Sequence, residues 1–202
     1  MHTLLLRLAG PMQSWGIDSR FTSRNSELEP SKSGVIGLCC AALGRPREAD
    51  ISDLAQLRMG VRIDSPGIIK RDYQTAMNVI RATGKSNPDA VTSTRFYLAD
   101  SNFLVGLESP DYELLKSIQN ALQKPVWQIF LGRKSYVPGI PVYISDGLCK
   151  DTKLKDALIK YPYVIETEKK DESGEQRGLS PSNIELPIIL EMPAGQIGRA
   201  HV

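Results

Sequence analysis

Four short stretches of the chain set cations beside small or hydroxyl-bearing residues, the composition that meets phosphate groups. They are the loop at 12–24, with Arg20 and Arg24; the segment Pro30-Ser-Lys-Ser-Gly34, with Lys32 and Ser33; the stretch 68–95, with Lys70, Arg71, Arg81, Lys85 and Arg95; and Gly132-Arg-Lys-Ser135, with Arg133 and Lys134. Gly132 would let a backbone come close to a ligand. At 30–34 the sequence predicts a helix start, with Ser31 as N-cap, and free N–H groups at a positive dipole end can hold a phosphate. Every helix has such a terminus, so that stretch taken alone favours an ordinary capped helix with a solvated lysine. Each of the four is commonplace by itself, and separate loops need not face one another.

Other chemistry finds little support. The two histidines, His2 and His201, stand at opposite ends of the chain, outside any local pattern with a nucleophile. Cys39 and Cys40 are adjacent and Cys149 is alone, which gives neither metal-ligand spacing nor a plausible disulfide. Pro30-Ser-Lys-Ser-Gly34 lacks the glycine-rich loop that precedes a phosphate-binding Walker lysine. No cofactor and no metal are expected. Trp15 and Trp127 can each stack on a base or pack in a core. Trp127 stands in an apolar run, which favours core. Trp15, between Ser14 and Gly16, divides evenly between the two readings.

The composition fits a folded chain: 41% hydrophobic residues in 202, with a net charge of +2. The charge is unevenly spread. Residues 1–150 carry 18 Lys/Arg against 14 Asp/Glu, and residues 151–202 carry 7 against 9. A mildly basic body permits nucleic acid as a partner without demanding it. Cysteine usage fits a reducing, cytoplasmic compartment, and no stretch reaches transmembrane length or reads as a signal peptide.

Residues 3–8 read as a strand ending at Gly10-Pro11. The stretch 30–44 reads as a buried helix, apolar nearly all round, closed by Gly44 in a left-handed cap. Residues 57–64 alternate strictly, with Leu57, Met59, Val61 and Ile63 on a buried face and Arg58, Arg62 and Asp64 on the other. Residues 68–95 read as a protruding hairpin with arms at 73–80 and 91–98 around the turn-rich segment 82–88. Strand follows to 107, with a turn near 100–102, then an amphipathic helix at 111–123 that Pro125 ends. Residues 126–136 form an apolar approach to the Gly-Arg-Lys-Ser turn, and 141–145 the next strand. A short helix at Leu154–Lys160, a strand at 163–167, a charged loop at 168–178 and a last strand at 184–191 complete the chain. The order strand, helix, strand, strand, helix, strand predicts an α+β, ferredoxin-like βαββαβ domain of the kind shared by RNA-recognition modules.

Gly10-Pro-Met-Gln-Ser-Trp-Gly16, followed by Pro30-Ser-Lys-Ser-Gly-Val-Ile-Gly-Leu38 and Ala41-Ala-Leu-Gly44, resembles the CasD family, the crRNA 5′-handle-binding subunits of type I-E CRISPR Cascade complexes. Asp72-Tyr-Gln-Thr75, Arg95-Phe-Tyr-Leu-Ala-Asp100, Phe103-Leu-Val105 and Phe130-Leu-Gly-Arg-Lys-Ser135 extend the resemblance in order over most of residues 1–145. It implies a modified RRM-like domain at 1–145, a β-hairpin thumb inserted at about 66–95, and a small β-rich C-terminal extension at 146–202. It implies a non-catalytic RNA-binding subunit in antiviral defence, with partners in the crRNA (5′ handle and first spacer nucleotides), a CasC-type backbone subunit and a CasA-type PAM-reading large subunit, and no membrane. By motif, Gln13, Ser14 and Trp15 would sit near handle nucleotides. Arg20, Arg24 and Lys32, with Ser33 beside it, would meet the RNA backbone, and Arg133 and Lys134 a further phosphate. Arg81, Lys85 and Arg95 would belong to the thumb or its base. A related subtype uses a similar protein as a metal-independent repeat-processing endoribonuclease. That alternative needs a general acid or base at the scissile phosphate, and only His2 and His201 are on offer.

Overall fold

A computed structural model describes residues 1–16, 19, 20, 22–80, 82–84, 89–163 and 185–191. The elements are β1 (His2–Gln13), β2 (Ser19–Arg20), β3 (Ser23–Arg24), α1 (Lys32–Leu43), α2 (Ser52–Ala55), β4 (Arg58–Ser65), β5 (Ile68–Ala76), β6 (Val91–Ser109), α3 (Tyr112–Gln123), β7 (Tyr143–Cys149), α4 (Leu154–Lys160) and β8 (Ile188–Leu190). The result is a mixed α/β fold built on one largely antiparallel sheet with few helices. Among the described residues no helix is long and apolar enough to cross a membrane.

The sheet is laid around β1. Its alternation places Leu4, Leu6 and Leu8 on one face and Leu5 on the other. β6 runs antiparallel to β1 from His2↔Ser109 to Gln13↔Leu98, and β7 flanks its other side from Thr3↔Cys149 to Leu6↔Tyr143. β4 pairs with the far half of β6, and β8 adds to β4, giving the order β7-β1-β6-β4-β8. α1 and α3 cover one face. Ser31 caps α1 by accepting from the Gly34 N–H at 3.3 Å, and Gly44 ends it at φ +71°. Asp111 caps α3 by accepting from the Leu114 N–H at 3.0 Å. Val35, Leu38, Cys39 and Ala42 of α1 and Leu115, Ile118 and Leu122 of α3 close the main core over the sheet.

α4 packs on the opposite face, and the sheet holds it at both ends. Gly60 of β4 and Gly106 of β6 are register partners. A Cβ at either would stand 2.9 Å or less from Leu154 or Leu158, so the two glycines form the flat seat on which α4 lies. Glu108 of β6 accepts from the Leu154 N–H at 3.0 Å at the start of α4, and its other oxygen accepts from Arg58 at 2.6 Å. At the far end Arg62 donates to the carbonyls of Leu158 and Tyr161, both at 2.6 Å, while Asp64 accepts from its guanidinium at 2.7 and 3.1 Å.

Several expectations shift. β1 does not stop at Gly10-Pro11 but runs to Gln13, because β6 continues beside it there. β4 is buried on both faces, with Arg62 only 3% exposed, because α4 covers the side read as solvated. The turn near 100–102 is a bend within the continuous β6, with Asp100 at φ +56°. It falls where β6 leaves β4 for β5: Gly67, at φ +67°, has no room for a Cβ against the Ala99 carbonyl and Ser101. The hairpin at 68–95 is present, paired from Ile68↔Ala99 to Ala76↔Val91, its first arm earlier than the expected 73–80. The boundary placed at 145/146 falls inside β7, and α4 and β8 rest on the same sheet as the rest. β8 is the expected last strand in shorter form. The strand at 163–167, except Tyr163, and the loop at 168–178 lie outside the described residues.

Removing a buried charge that holds four backbone and carboxylate partners leaves them unpaired. Arg62→Ala is expected to lower unfolding free energy by about 3–5 kcal/mol in denaturant titration. The accompanying loss of hydrogen-exchange protection should fall first on α4 and leave α3 the last to open.

Candidate nucleic-acid interface

Residues 13–15 tie the end of β1 to three other parts of the chain. Gln13 is fully buried, donates to the carbonyls of Leu8 at 3.0 Å and Ser101 at 2.8 Å, and accepts from the Trp15 indole N–H at 3.2 Å. Trp15 is 1% exposed and lies against the first turn of α1, where a Cβ at Gly34 would meet its ring at 2.9 Å. The Ser14 hydroxyl donates to the Phe96 carbonyl at 3.3 Å, and its N–H donates to the Leu131 carbonyl at 3.0 Å. All three side chains are therefore enclosed by protein, which takes the Trp15 ring out of base stacking. Their work is to position the loops around them. Trp15, which the sequence leaves evenly divided, is therefore a core residue, and Trp127, read as core, is instead 46% exposed. Val126 and Trp127 are pinned by their N–H groups to the Ala42 and Ala41 carbonyls at the end of α1, which leaves the Trp127 ring outward, while Ile129 and Leu131 turn in.

Gly132 shows why the 131–136 turn sits where it does. At φ +94° its Cα faces the Ser14 carbonyl, and a Cβ there would lie 1.8 Å from that oxygen. The turn closes through Leu131 N–H to Tyr136 O at 2.7 Å and Tyr136 N–H to Arg133 O at 2.9 Å. Arg133 is thereby aimed across to β3: it donates to the Arg24 carbonyl at 3.2 Å and to the Tyr136 hydroxyl at 3.0 Å, with its guanidinium 5.5 Å from the Tyr136 ring centre.

β3 in turn lies parallel to β6, with Arg24 in register with Arg95 and Ser23 with Thr94. Register partners share a sheet face, and residues two apart on a strand do as well. Arg24 and Arg95 therefore stand side by side, with Tyr97 next along the same face and 5.9 Å from Tyr136. Across the hairpin, Lys70 opposes Tyr97 and Asp72 opposes Arg95. Three of the expected cations, Arg24, Arg95 and Arg133, are thus gathered beside two tyrosines that sequence reasoning passed over. Their trace was present in the Arg95-x-Tyr97 spacing on a strand and in Tyr136 closing the Gly-Arg-Lys-Ser turn.

Ion pairing divides the basic residues. Arg45, Arg58 and Arg62 each hold a carboxylate at 2.6–2.7 Å. Lys32, the lysine expected to meet RNA, is paired with Glu191 at the end of β8 at 2.8 and 3.0 Å, and that carboxylate also accepts from the Met59 N–H at 3.1 Å. Among the described residues Arg24, Arg95, Arg133 and Lys134 have no carboxylate within 4.0 Å. Unpaired cations next to aromatic rings are what a phosphate backbone with splayed bases requires. Ser33 is exposed beside Ser31, Lys134 is exposed on its turn, and Arg20 lies in β2 opposite Ser23. Arg81 and Lys85 lie outside the described residues.

Of the two histidines, His2 is engaged within the fold and His201 lies outside the described residues. His2 Nδ1 accepts from the Asp151 N–H at 3.0 Å, and its ring meets Tyr112 edge-on at 5.2 Å. Burial pushes the Cys39 thiol up to about 12, which keeps it protonated. Among the described residues no group of three His, Cys, Asp or Glu side chains could hold a metal ion.

Gly132→Ala is expected to destabilise the chain by about 2 kcal/mol or more in thermal or denaturant unfolding, since both the dihedral and the space forbid a side chain. Gly37→Ala, in α1 with nothing within 4 Å of the new Cβ, should be neutral or stabilising by about 0.5–1 kcal/mol.

The CRISPR-associated protein (Cas_Cas5) family matches residues 3–186. The CRISPR system Cascade subunit CasD of Escherichia coli (strain K12) is 30% identical over 175 residues, covering 78% of this chain and 76% of the relative. A crystal structure of a Cas protein superposes with a TM-score of 0.71 at 42% identity, over 96% of this chain and 82% of that one. A chain of a CRISPR RNA-guided surveillance complex superposes at 0.65 and 36% identity, over 71% of this chain and 64% of that one. With the family matched across nearly its whole length, this chain belongs to the Cas5 family of CRISPR-associated proteins.

Proposed function

We propose that this chain is a CasD-type subunit of a Cascade surveillance complex, holding the 5′ handle of the crRNA and capping the backbone filament without catalysing a reaction. The observation that carries the reading is the strip of Arg24, Arg95 and Arg133 beside Tyr97 and Tyr136, with none of the three arginines ion-paired among the described residues. Arginines meet phosphate oxygens through forked hydrogen bonds; of the two tyrosines the half-buried Tyr97 can take an unstacked base, while Tyr136, 5% exposed, packs in the core and steadies Arg133. Family membership and the likeness to a Cascade subunit supply the RNA and the assembly.

The finer parts of the reading follow. The order β7-β1-β6-β4, with α1 and α3 on one face, supports an RRM-like ferredoxin fold with the β5–β6 hairpin as its thumb. Exposed Lys70, Arg71 and Tyr73 on that hairpin suit the first spacer nucleotides and a CasC-type neighbour. A CasA-type subunit adjoins the handle end, and the assembly works in the cytoplasm. Cleavage of the repeat is left to another subunit; the engagement of His2 with Asp151 and Tyr112 supports this, and His201 lies outside the described residues.

The test is RNA binding by the assembled complex over a range of salt. Replacing Arg24, Arg95 and Arg133 together by Ala should weaken handle-RNA binding by at least about tenfold. The same change should flatten the log–log salt dependence by about 2, three lost contacts at about 0.7 each for a single strand. Unchanged affinity and slope in a complex that still assembles would remove the strip from the interface.

A further inference from the structure

Asp72 and Gln74 stand two apart on β5, so their side chains share one face of the β5–β6 hairpin. Their register partners on β6 are Arg95 and Ser93, which share that face too. The four make a square in which each strand ties its own pair. Arg95 Nε donates to the Ser93 hydroxyl at 3.2 Å, and Gln74 Nε2 donates to Asp72 Oδ2. Arg24 is in register with Arg95 from the other side, which puts the square on the face of the arginine strip. Among the described residues no carboxylate lies within 4.0 Å of the Arg95 side-chain nitrogens, so its two terminal nitrogens stay available to a phosphate. Gln74 is exposed and Asp72 half-buried.

The bond to Asp72 settles which way the Gln74 amide faces. An ionised carboxylate only accepts hydrogen bonds, so it takes the amide nitrogen and turns Oε1 away. Gln74 is left with a free carbonyl oxygen and one free N–H. Part of its rotamer freedom is lost before any ligand arrives, which lowers the cost of binding one. A glutamine amide presented in this way makes a two-point contact with a base edge. The adjacent Asp72 carboxylate repels a phosphate and favours a base edge that donates. Adenine and cytosine each carry an exocyclic amino group beside a ring-nitrogen acceptor, which meets Oε1 and the N–H together. Guanine and uracil place a keto oxygen at the corresponding position, facing the carboxylate. Along the face, the row of Gln74 and Ser93 lies about 13 Å from Tyr97 at the rise of a strand. A base on Gln74 is therefore a different one from a base on Tyr97, with Arg95 between the two.

We propose that Gln74, positioned by Asp72, reads one base of the bound RNA handle and prefers a base with an exocyclic amino group, adenine or cytosine. This rests on the RNA-binding reading given above. The arginine strip supplies contacts that carry no sequence information, and Gln74 adds preference at one nucleotide.

The experiment reconstitutes the complex with a pool of pre-cut RNAs randomised over the 5′ handle and sequences what is retained. The wild-type complex should enrich adenine and cytosine over guanine and uracil by about tenfold at one handle position, the discrimination expected of a two-point base contact. Gln74→Ala removes an exposed side chain from the hairpin. It should abolish the enrichment at that position while leaving melting temperature, total retained RNA and salt dependence unchanged. Asp72→Asn keeps the side chain's size but can donate to Oε1 as well as accept from Nε2, so the amide is no longer held one way round. It should lower the same enrichment without lowering total retention. Absence of any position enriched in adenine and cytosine, or an enrichment that either variant leaves intact, overturns the proposal. The Arg24, Arg95 and Arg133 variant, read by total retention, separates the two ideas. If it lowers retention while Gln74→Ala leaves the enrichment intact, the RNA-binding reading stands and the base reader falls. If it leaves retention unchanged and no handle position responds to Gln74→Ala, both fall.

Discussion

The buried hydrogen-bonded unit of Gln13 and Trp15 is the constraint on which the rest depends. One side-chain amide satisfies the carbonyls of Leu8 and Ser101 and the indole N–H of Trp15, and the indole fills the space that Gly34 leaves on α1. A neutral amide buried with its groups paired is rigid, because each lost bond would leave a polar atom dry. Through it the exit of β1, the bend of β6 and the start of α1 become one body. Ser14, held between them, presents its backbone to Leu131 and Gly132 and so fixes the turn that carries Arg133.

Charge is then sorted by what the fold leaves available. Arg58 and Arg62 serve α4, Arg45 serves the α2 connection through Asp53, and Lys32 is taken by Glu191. Arg24, Arg95 and Arg133 stay unpaired on a surface where β3 meets β6 and the 131–136 turn closes over them. A nearly neutral chain thus carries a local basic face, invisible in its net charge of +2. Desolvation of these side chains is partial, so phosphate oxygens can replace water on them without the penalty that deep burial would impose.

Much of the scaffold was legible in the residues. Ser31 and Gly44 bound α1, the spacing of Leu115, Ile118 and Leu122 set the inner face of α3, and turn chemistry near 82–88 announced the hairpin. What escaped was set by distant neighbours. Trp15 is buried because Gly34 makes room for it, and Trp127 is exposed because α1 holds its backbone rather than its ring. The second face of β4 is covered by α4 through Arg62, a residue that alternation assigns to solvent. Arg24, Arg95 and Arg133 converge only through a parallel pairing of two residues with a long strand, and Lys32 loses its freedom to a carboxylate 159 positions away. Local pattern names the cations; tertiary pairing decides which of them are free. The family resemblance points to residues 13–15, whose side chains the fold uses as its internal fastening.

Photocrosslinking of the assembled complex, loaded with crRNA carrying 4-thiouridine at successive handle positions, tests the central claim most directly. Peptide mapping by mass spectrometry should find the crosslinks in residues 91–99 and 131–136, with Tyr97 as the modified side chain. Crosslinks confined to the opposite end of β1, around His2 and Tyr112, or absent from both tyrosine-bearing segments, would contradict the account.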